Sequence, residues 1–429
     1  MKKIVNLSSA VGIISLSVAS LPLFAQRSEP LKTARLLSEA CEPVRVVCFG
    51  DSITGAYYHS GGRRAWPEML KVALNTLYPK ADVTVINAGV SGHSSGQGLG
   101  RIEKDVLAHT PHLVVVMFGM NDLCYGAVAP EKDAAIKTAF SGRLKAIVEK
   151  CRAARAEVIL CTQNPVYPEA LPHRPPERVG EFAGLILQTG AELKVPVADI
   201  YTEWETLRKT DVRSWRLLMS ETVHPSMAGH KRMAERVAET LSGRAVSLAD
   251  VTAEQPVCET AITRLKDGTP VVLAATEALA PLVAAAVSNR FPKAVFTVTP
   301  LPVKAKTFAA FANGCRGVRS QAPALVFLSP APDLLMFDDE EAFVRQISWA
   351  VNWSLPFAGS AWTAVGVDPA LWLPGEEEPD RAEGCRLFEA VVRAHDLDWI
   401  ARPSGMKAGL AAALDRWFSA QAAACGHGK

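Results

Sequence analysis

Short unbroken apolar runs alternate with longer amphipathic stretches along the first half of this chain. Val46-Val47-Cys48-Phe49 is the first such run, and it stops in Gly50-Asp51-Ser52. A strand buried on both faces reads as a continuous apolar run, whereas a half-exposed strand alternates. By the same criterion residues 83–86, 113–118, 157–162 and 195–200 are the next four strands. Residues 66–74, 134–154 and 178–193 carry apolar side chains at helical spacing, and Tyr78-Pro79 ends the first of these helices. Residues 27–42 read as a polar, proline-interrupted lead-in. Strands alternating with helices at this spacing predict right-handed crossovers and a parallel sheet covered on both faces.

The second half repeats this rhythm. After a polar connection over 241–269, an apolar strand starts at Pro270-Val271-Val272-Leu273. Leu77-Tyr78-Pro79-Lys80-Ala81 is echoed by Arg290-Phe291-Pro292-Lys293-Ala294, and Pro111-His112-Leu113-Val114-Val115 by Pro323-Ala324-Leu325-Val326-Phe327. His224-Pro225-Ser226 is echoed by Arg402-Pro403-Ser404. A near-constant offset predicts internal duplication. Aligned this way, Ser52 meets Glu277, Asn121 meets Asp333 and His224 meets Arg402. The acidic Glu376-Glu377-Glu378 run reads as a solvated loop.

Composition changes this picture in two places. A chain of 429 residues with 49% hydrophobic and 21% charged residues has the material for two cores. Its N-terminus departs from the average: Lys2-Lys3 precedes an apolar stretch ending near Phe24-Ala25-Gln26, the layout of a secretory signal over 1–25, with cleavage after Ala19 or retention as a membrane anchor the alternatives. Loss of that segment lowers the formal charge from +2 to zero, so nothing electrostatic calls for nucleic acid or anionic lipid. The chain has nine cysteines and no Cys-x-x-Cys pair, so a zinc ribbon is not expected, and pairing is unreadable from spacing. The expected organisation is therefore a signal over 1–25, a first domain over 42–245 and a second over 268–425.

Candidate chemistry gathers where the predicted strands end. Ser52 has two readings from its position alone, a helix cap or a nucleophile. Gly92 lies in Asn87-Ala88-Gly89-Val90-Ser91-Gly92, Asn121 in Gly119-Met120-Asn121-Asp122, and His224 in Val223-His224-Pro225. These four blocks, in this order and spacing, resemble the SGNH hydrolases, also called GDSL esterases and lipases. The resemblance covers residues 44 to about 240 and implies a three-layer α/β/α sandwich on a parallel five-stranded, flavodoxin-like sheet. With the duplication, that fold is expected twice.

The resemblance further implies that Ser52 is the nucleophile and His224 the general base. The oxyanion donors would be the Ser52 and Gly92 amides and the Asn121 side chain. The family places an aspartate three residues before the histidine, and here that position is Glu221; Asp199 is the nearest alternative carboxylate. Asp51, His93 and Asp122 flank these groups as candidate substrate contacts, with a plain surface role the alternative for His93. No cofactor and no metal are implied. The glycine-rich run 89–100 lacks a Walker lysine, and His109 and His112 lack a third ligand. The five prolines between 164 and 178 predict an irregular segment, either a wall of the site or a surface excursion.

Together these point to an exported serine esterase, periplasmic or extracellular, acting on an acylated carbohydrate. No membrane span is expected once the signal is removed, and the oligomeric state is open. A lipid or short-chain acyl ester hydrolase, lysophospholipase-like or thioesterase-like, is the alternative within the class. A non-catalytic glycan-binding or scaffold protein is the alternative outside it. The second domain, with a carboxylate at the Asn121 position, is expected to be inert as an esterase.

Overall fold

A computed structural model describes residues 31–123, 129–168, 174–254, 258–301, 305–359, 361–372, 379–401 and 409–425. The expected signal over 1–25, the 376–378 acidic run and the 402–404 echo lie outside the described residues. The first sheet contains β1 (Val44–Gly50), β2 (Val83–Gly89), β3 (Leu113–Met117), β4 (Glu157–Cys161) and β5 (Val197–Ala198). Its order is β2-β1-β3-β4-β5, parallel throughout. The second sheet contains β6 (Val271–Thr276), β7 (Phe296–Leu301), β8 (Leu325–Leu328), β9 (Thr363–Val367) and β10 (Asp398–Ile400). It runs β7-β6-β8-β9-β10, which is the same order.

Apolar runs became central strands because both faces are covered. All five residues of β3 are buried, and the helices Trp66–Leu77, Pro130–Ala153 and Met227–Ser242 turn Leu70, Leu144 and Val237 into the same core. Two stretches differ from the sequence reading. The polar lead-in contains the helix Lys32–Glu39, anchored where Lys32 and Thr33 amides donate to the Glu157 carboxylate. The glycine-rich run contains the helix Ser95–Asp105. A Cβ on Gly98 would meet the Phe118 ring at 2.6 Å, so backbone rather than an apolar side chain packs there.

Strand register also corrects the internal alignment. Val44 pairs with Val83 and Val271 with Phe296, so the first strands are offset by 227 and the second by 213. The 227 offset carries Ser52 to Leu279, which is fully buried, and leaves Glu277 level with Gly50. The difference arises because β1 is joined to its helix by residues 51–65, whereas β6 is joined by 277–279. Asp333 keeps the offset of β3 and β8 to Asn121, and it is exposed in an ion pair with Arg381.

The longer connection and the turn before His224 are where the two halves meet. Tyr57 forms an antiparallel bridge with Ala358, and the Tyr58 amide donates to the Phe357 carbonyl at 2.9 Å. Asp396 accepts from both Arg64 and Lys231. Buried Asn352 donates to the Ser220 carbonyl at 3.0 Å and accepts from its hydroxyl at 2.9 Å. Among the described residues the cysteines are free thiols, and no helix is long and apolar enough to cross a membrane.

Candidate active site

β1 delivers Ser52 to the rim of the sheet in a tight turn in which the Thr54 and Gly55 amides both donate to the Asp51 carbonyl. His224 arrives from a reversal just before the helix Met227–Ser242. There Met219 bridges Pro225, and the Ser220 amide donates to the His224 carbonyl at 2.9 Å. The two meet at 2.9 Å, Ser52 Oγ to His224 Nε2.

The same reversal folds Glu221 back onto the imidazole. Its Oε1 accepts the His224 amide at 3.0 Å and contacts His224 Nδ1, while Oε2 accepts the Val223 amide at 3.0 Å and the Thr222 hydroxyl. A carboxylate only accepts, so Nδ1 carries the proton and Nε2 is the lone pair facing Ser52. Burial raises the Glu221 carboxyl pKa, but the charge on His224 and three hydrogen bonds outweigh it, and the net direction is downward. Asp199 is spent elsewhere, accepting from the Thr202 amide and the Thr162 hydroxyl.

The remaining candidates fall into two groups. Gly92 is exposed at φ +76°, a left-handed conformation natural to glycine, with open space where a Cβ would stand. Asn121 lies between the Ser52 turn and that loop: its Nδ2 is 3.2 Å from the His93 carbonyl and 3.4 Å from Asp51 Oδ2. His93 is half-buried and accepts from Arg101. Asp51 and Asp122 are buried rather than turned toward a ligand. Asp51 Oδ1 accepts the Ile53 amide, and burial pushes its carboxyl up to about 6. Asp122 accepts from the Ser95 amide and hydroxyl, holding the start of the helix Ser95–Asp105. Both carboxylates shape the backbone around Ser52 and Gly92.

Four functional neighbours escaped the sequence reading. Arg174, from the proline-rich segment, donates to Asn121 Oδ1 at 3.1 Å and so leaves Nδ2 directed at the His93 carbonyl and Asp51. Arg101 donates to the Gly50 and Ala88 carbonyls, pinning the ends of β1 and β2. His59 stacks on His224, centroids 4.5 Å apart, and His230 stacks on His59 at 5.4 Å. The hydrogen bonds order this stack. The Trp66 amide donates to His230 Nδ1, so His230 donates from Nε2 to His59 Nδ1, and His59 from Nε2 to the Ser52 carbonyl at 3.1 Å. Burial holds His59 well below its usual range and His230 down to about 3, so both rings are neutral near pH 7. Isolated histidines at 59 and 230 gave no pattern, because the pairing exists only after 171 residues of separation are folded away.

The comparisons with known proteins bear on this geometry. The family described as GDSL-like Lipase/Acylhydrolase matches residues 48–232, the segment containing Ser52, Gly92, Asn121, Glu221 and His224. Those residues belong to the GDSL-like lipase/acylhydrolase family. An arylesterase of Vibrio mimicus is 41% identical to this chain over 85 residues, 20% of this chain and 40% of that protein. An acetylxylan esterase of Geobacillus stearothermophilus is 27% identical over 164 residues, 38% of this chain and 73% of that protein. Thioesterase 1/protease 1/lysophospholipase L1 of Escherichia coli K12 is 26% identical over 197 residues, 46% and 82% respectively. Among solved structures, the lipase/acylhydrolase of Enterococcus faecalis is 26% identical, covers 47% of this chain and 97% of its own, and gives a TM-score of 0.39. The matched GDSL segment ends before the second sheet begins.

Proposed function

We propose that the first domain, 42–245, is an exported serine esterase that removes acyl groups, acetyl above all, from carbohydrate. The observation carrying this reading is the chain Ser52 Oγ, His224 Nε2, His224 Nδ1, Glu221 Oε1. Ser52 Oγ attacks the ester carbonyl as its proton passes to Nε2, and Glu221 steadies the resulting imidazolium. Neither the Ser52 nor the Gly92 amide donates to a protein acceptor among the described residues, so both are available to the tetrahedral oxyanion. Asn121 Nδ2 supplies the third donor by turning from the His93 carbonyl. His224 then protonates the leaving alcohol, and water repeats the sequence to release the acid.

The carbohydrate preference draws support from the acetylxylan esterase relative, and export from the apolar stretch behind Lys2-Lys3. The thioesterase relative favours the second reading, a short acyl or lipid ester. The second domain, 268–425, reads as a duplicate without esterase chemistry: it shares the strand order but has buried Leu279 at the level of Ser52. The test is acetate release from acetylated xylan and 4-nitrophenyl acetate by the purified chain and by Ser52→Ala. Turnover of both by wild type, and of neither by the variant, is the expected result. Equal rates would remove Ser52 from the mechanism, and turnover of the nitrophenyl ester alone would favour the second reading.

A further inference from the structure

One segment of the second domain that comes close to the Ser52 site is 355–359, between the helix Glu340–Trp353 and β9. That segment is held on both sides. The Phe357 carbonyl accepts the Tyr58 amide and Ala358 bridges Tyr57. Behind it, Arg319 donates to the Leu355 and Asn352 carbonyls and places its guanidinium 5.9 Å from the Phe357 ring centroid. The backbone at Phe357 is therefore fixed, yet its side chain is 56% exposed. Large apolar rings held rigidly in the open near a reactive centre are what stacking ligands use.

Its neighbours say what this ring faces. Phe357 lies 5.8 Å from Tyr58 and 6.0 Å from Tyr57, centroid to centroid. Tyr58 presents an edge to the His224 ring at 6.1 Å. Tyr57 reaches the opposite side of the site, where its hydroxyl accepts the Ser91 amide at 3.0 Å beside Gly92. The three rings thus run from the imidazole to the oxyanion loop, with the second domain's phenylalanine outermost. Tyr57 and Tyr58 are half-buried residues and Phe357 is exposed.

We propose that Phe357, with Tyr57 and Tyr58, forms a subsite for the sugar ring bearing the scissile ester, so that the second domain contributes to substrate recognition. This rests on the carbohydrate reading above. A pyranose presents an axial C–H face that packs on an aromatic ring, and its hydroxyls stay in water, which suits a half-exposed platform. The preorganised backbone lowers the cost of ordering the ring on binding.

The experiment compares wild type, Phe357→Ala and Phe357→Trp on acetylated xylo-oligosaccharide and on 4-nitrophenyl acetate, the small ester lacking a sugar. For Phe357→Ala the ratio of kcat/KM values, oligosaccharide over nitrophenyl ester, is expected to fall about tenfold, mostly through KM. Phe357→Trp should restore the ratio to within twofold. A ratio unchanged in Phe357→Ala overturns the proposal, whether both rates hold or both fall together, because a purely structural role would move them alike. Failure of wild type on the oligosaccharide, with the nitrophenyl ester still turned over, would instead remove the carbohydrate reading.

Discussion

Asn352 offers the most direct test of whether the two halves work as one unit. Its side chain is fully buried and makes two hydrogen bonds to Ser220, the residue immediately before Glu221. Truncation to alanine leaves the Ser220 carbonyl without this donor, and the hydroxyl retains only His395 Nε2 at 3.3 Å. An unsatisfied buried polar group costs about 1–3 kcal/mol, and because the hydroxyl keeps His395 the carbonyl sets the loss, about 1–3 kcal/mol of stability. The effect on chemistry follows from the same peptide. Glu221 Oε1 serves the His224 amide and ring nitrogen at once, so a shift of Ser220 moves both. Misplacement by about 1 Å typically costs about 100-fold in rate. Calorimetric unfolding gives the first number, and kcat for 4-nitrophenyl acetate, measured well below the transition, gives the second. Unfolding within one degree of wild type together with kcat within twofold would refute the idea that the second domain braces the acid-bearing turn.

Two further outcomes follow from the site. In Glu221→Gln, whichever oxygen position receives the amide nitrogen faces an N–H group, His224 or Val223, so the imidazole loses either its charge partner or its tautomer. The expected loss in kcat is about 10³- to 10⁴-fold, and a loss under tenfold would show that Glu221 does not orient His224. Asp51 gives a pH signature, because burial lifts its carboxyl from 3.8 to about 6. Across that window the native state holds a proton the unfolded chain has released, so wild-type stability falls as pH rises. The neutral residue in Asp51→Asn does not titrate. Its stability relative to wild type should therefore grow between pH 4 and 7, by up to about 3 kcal/mol, in urea unfolding. A difference that stays flat with pH would contradict the shift.

The main architecture was legible because buried parallel strands advertise themselves. Val46 to Phe49 and Leu113 to Met117 are apolar on both faces, and Tyr78 and Phe291 both close a helix with a carbonyl bond four residues back. Where packing uses backbone, the pattern goes silent, as at Gly98 against Phe118. The fifth strand, expected over 195–200, is only Val197–Ala198, since the chain turns at once into the helix Ile200–Thr210 capped by Asp199. Ser52, Glu221 and His224 were legible through the resemblance of their sequence blocks to the SGNH family. Tyr58, His59, Asn352 and Phe357 were not, because their meaning lies in contacts far apart in the chain, 171 residues between His59 and His230 and 132 between Ser220 and Asn352.

The unequal connections after β1 and β6 limit what engineering can do with the second half. Writing a serine, an amide and a histidine onto its sheet would not create a twin esterase, because 277–279 is too short to hold anything like the aromatic and imidazole layer of 51–65. Grafting would have to start with chain length, and side chains would come afterwards. Conversely, a protein trimmed to its first sheet would keep every reactive group named here and lose the wall that their supporting loop leans on.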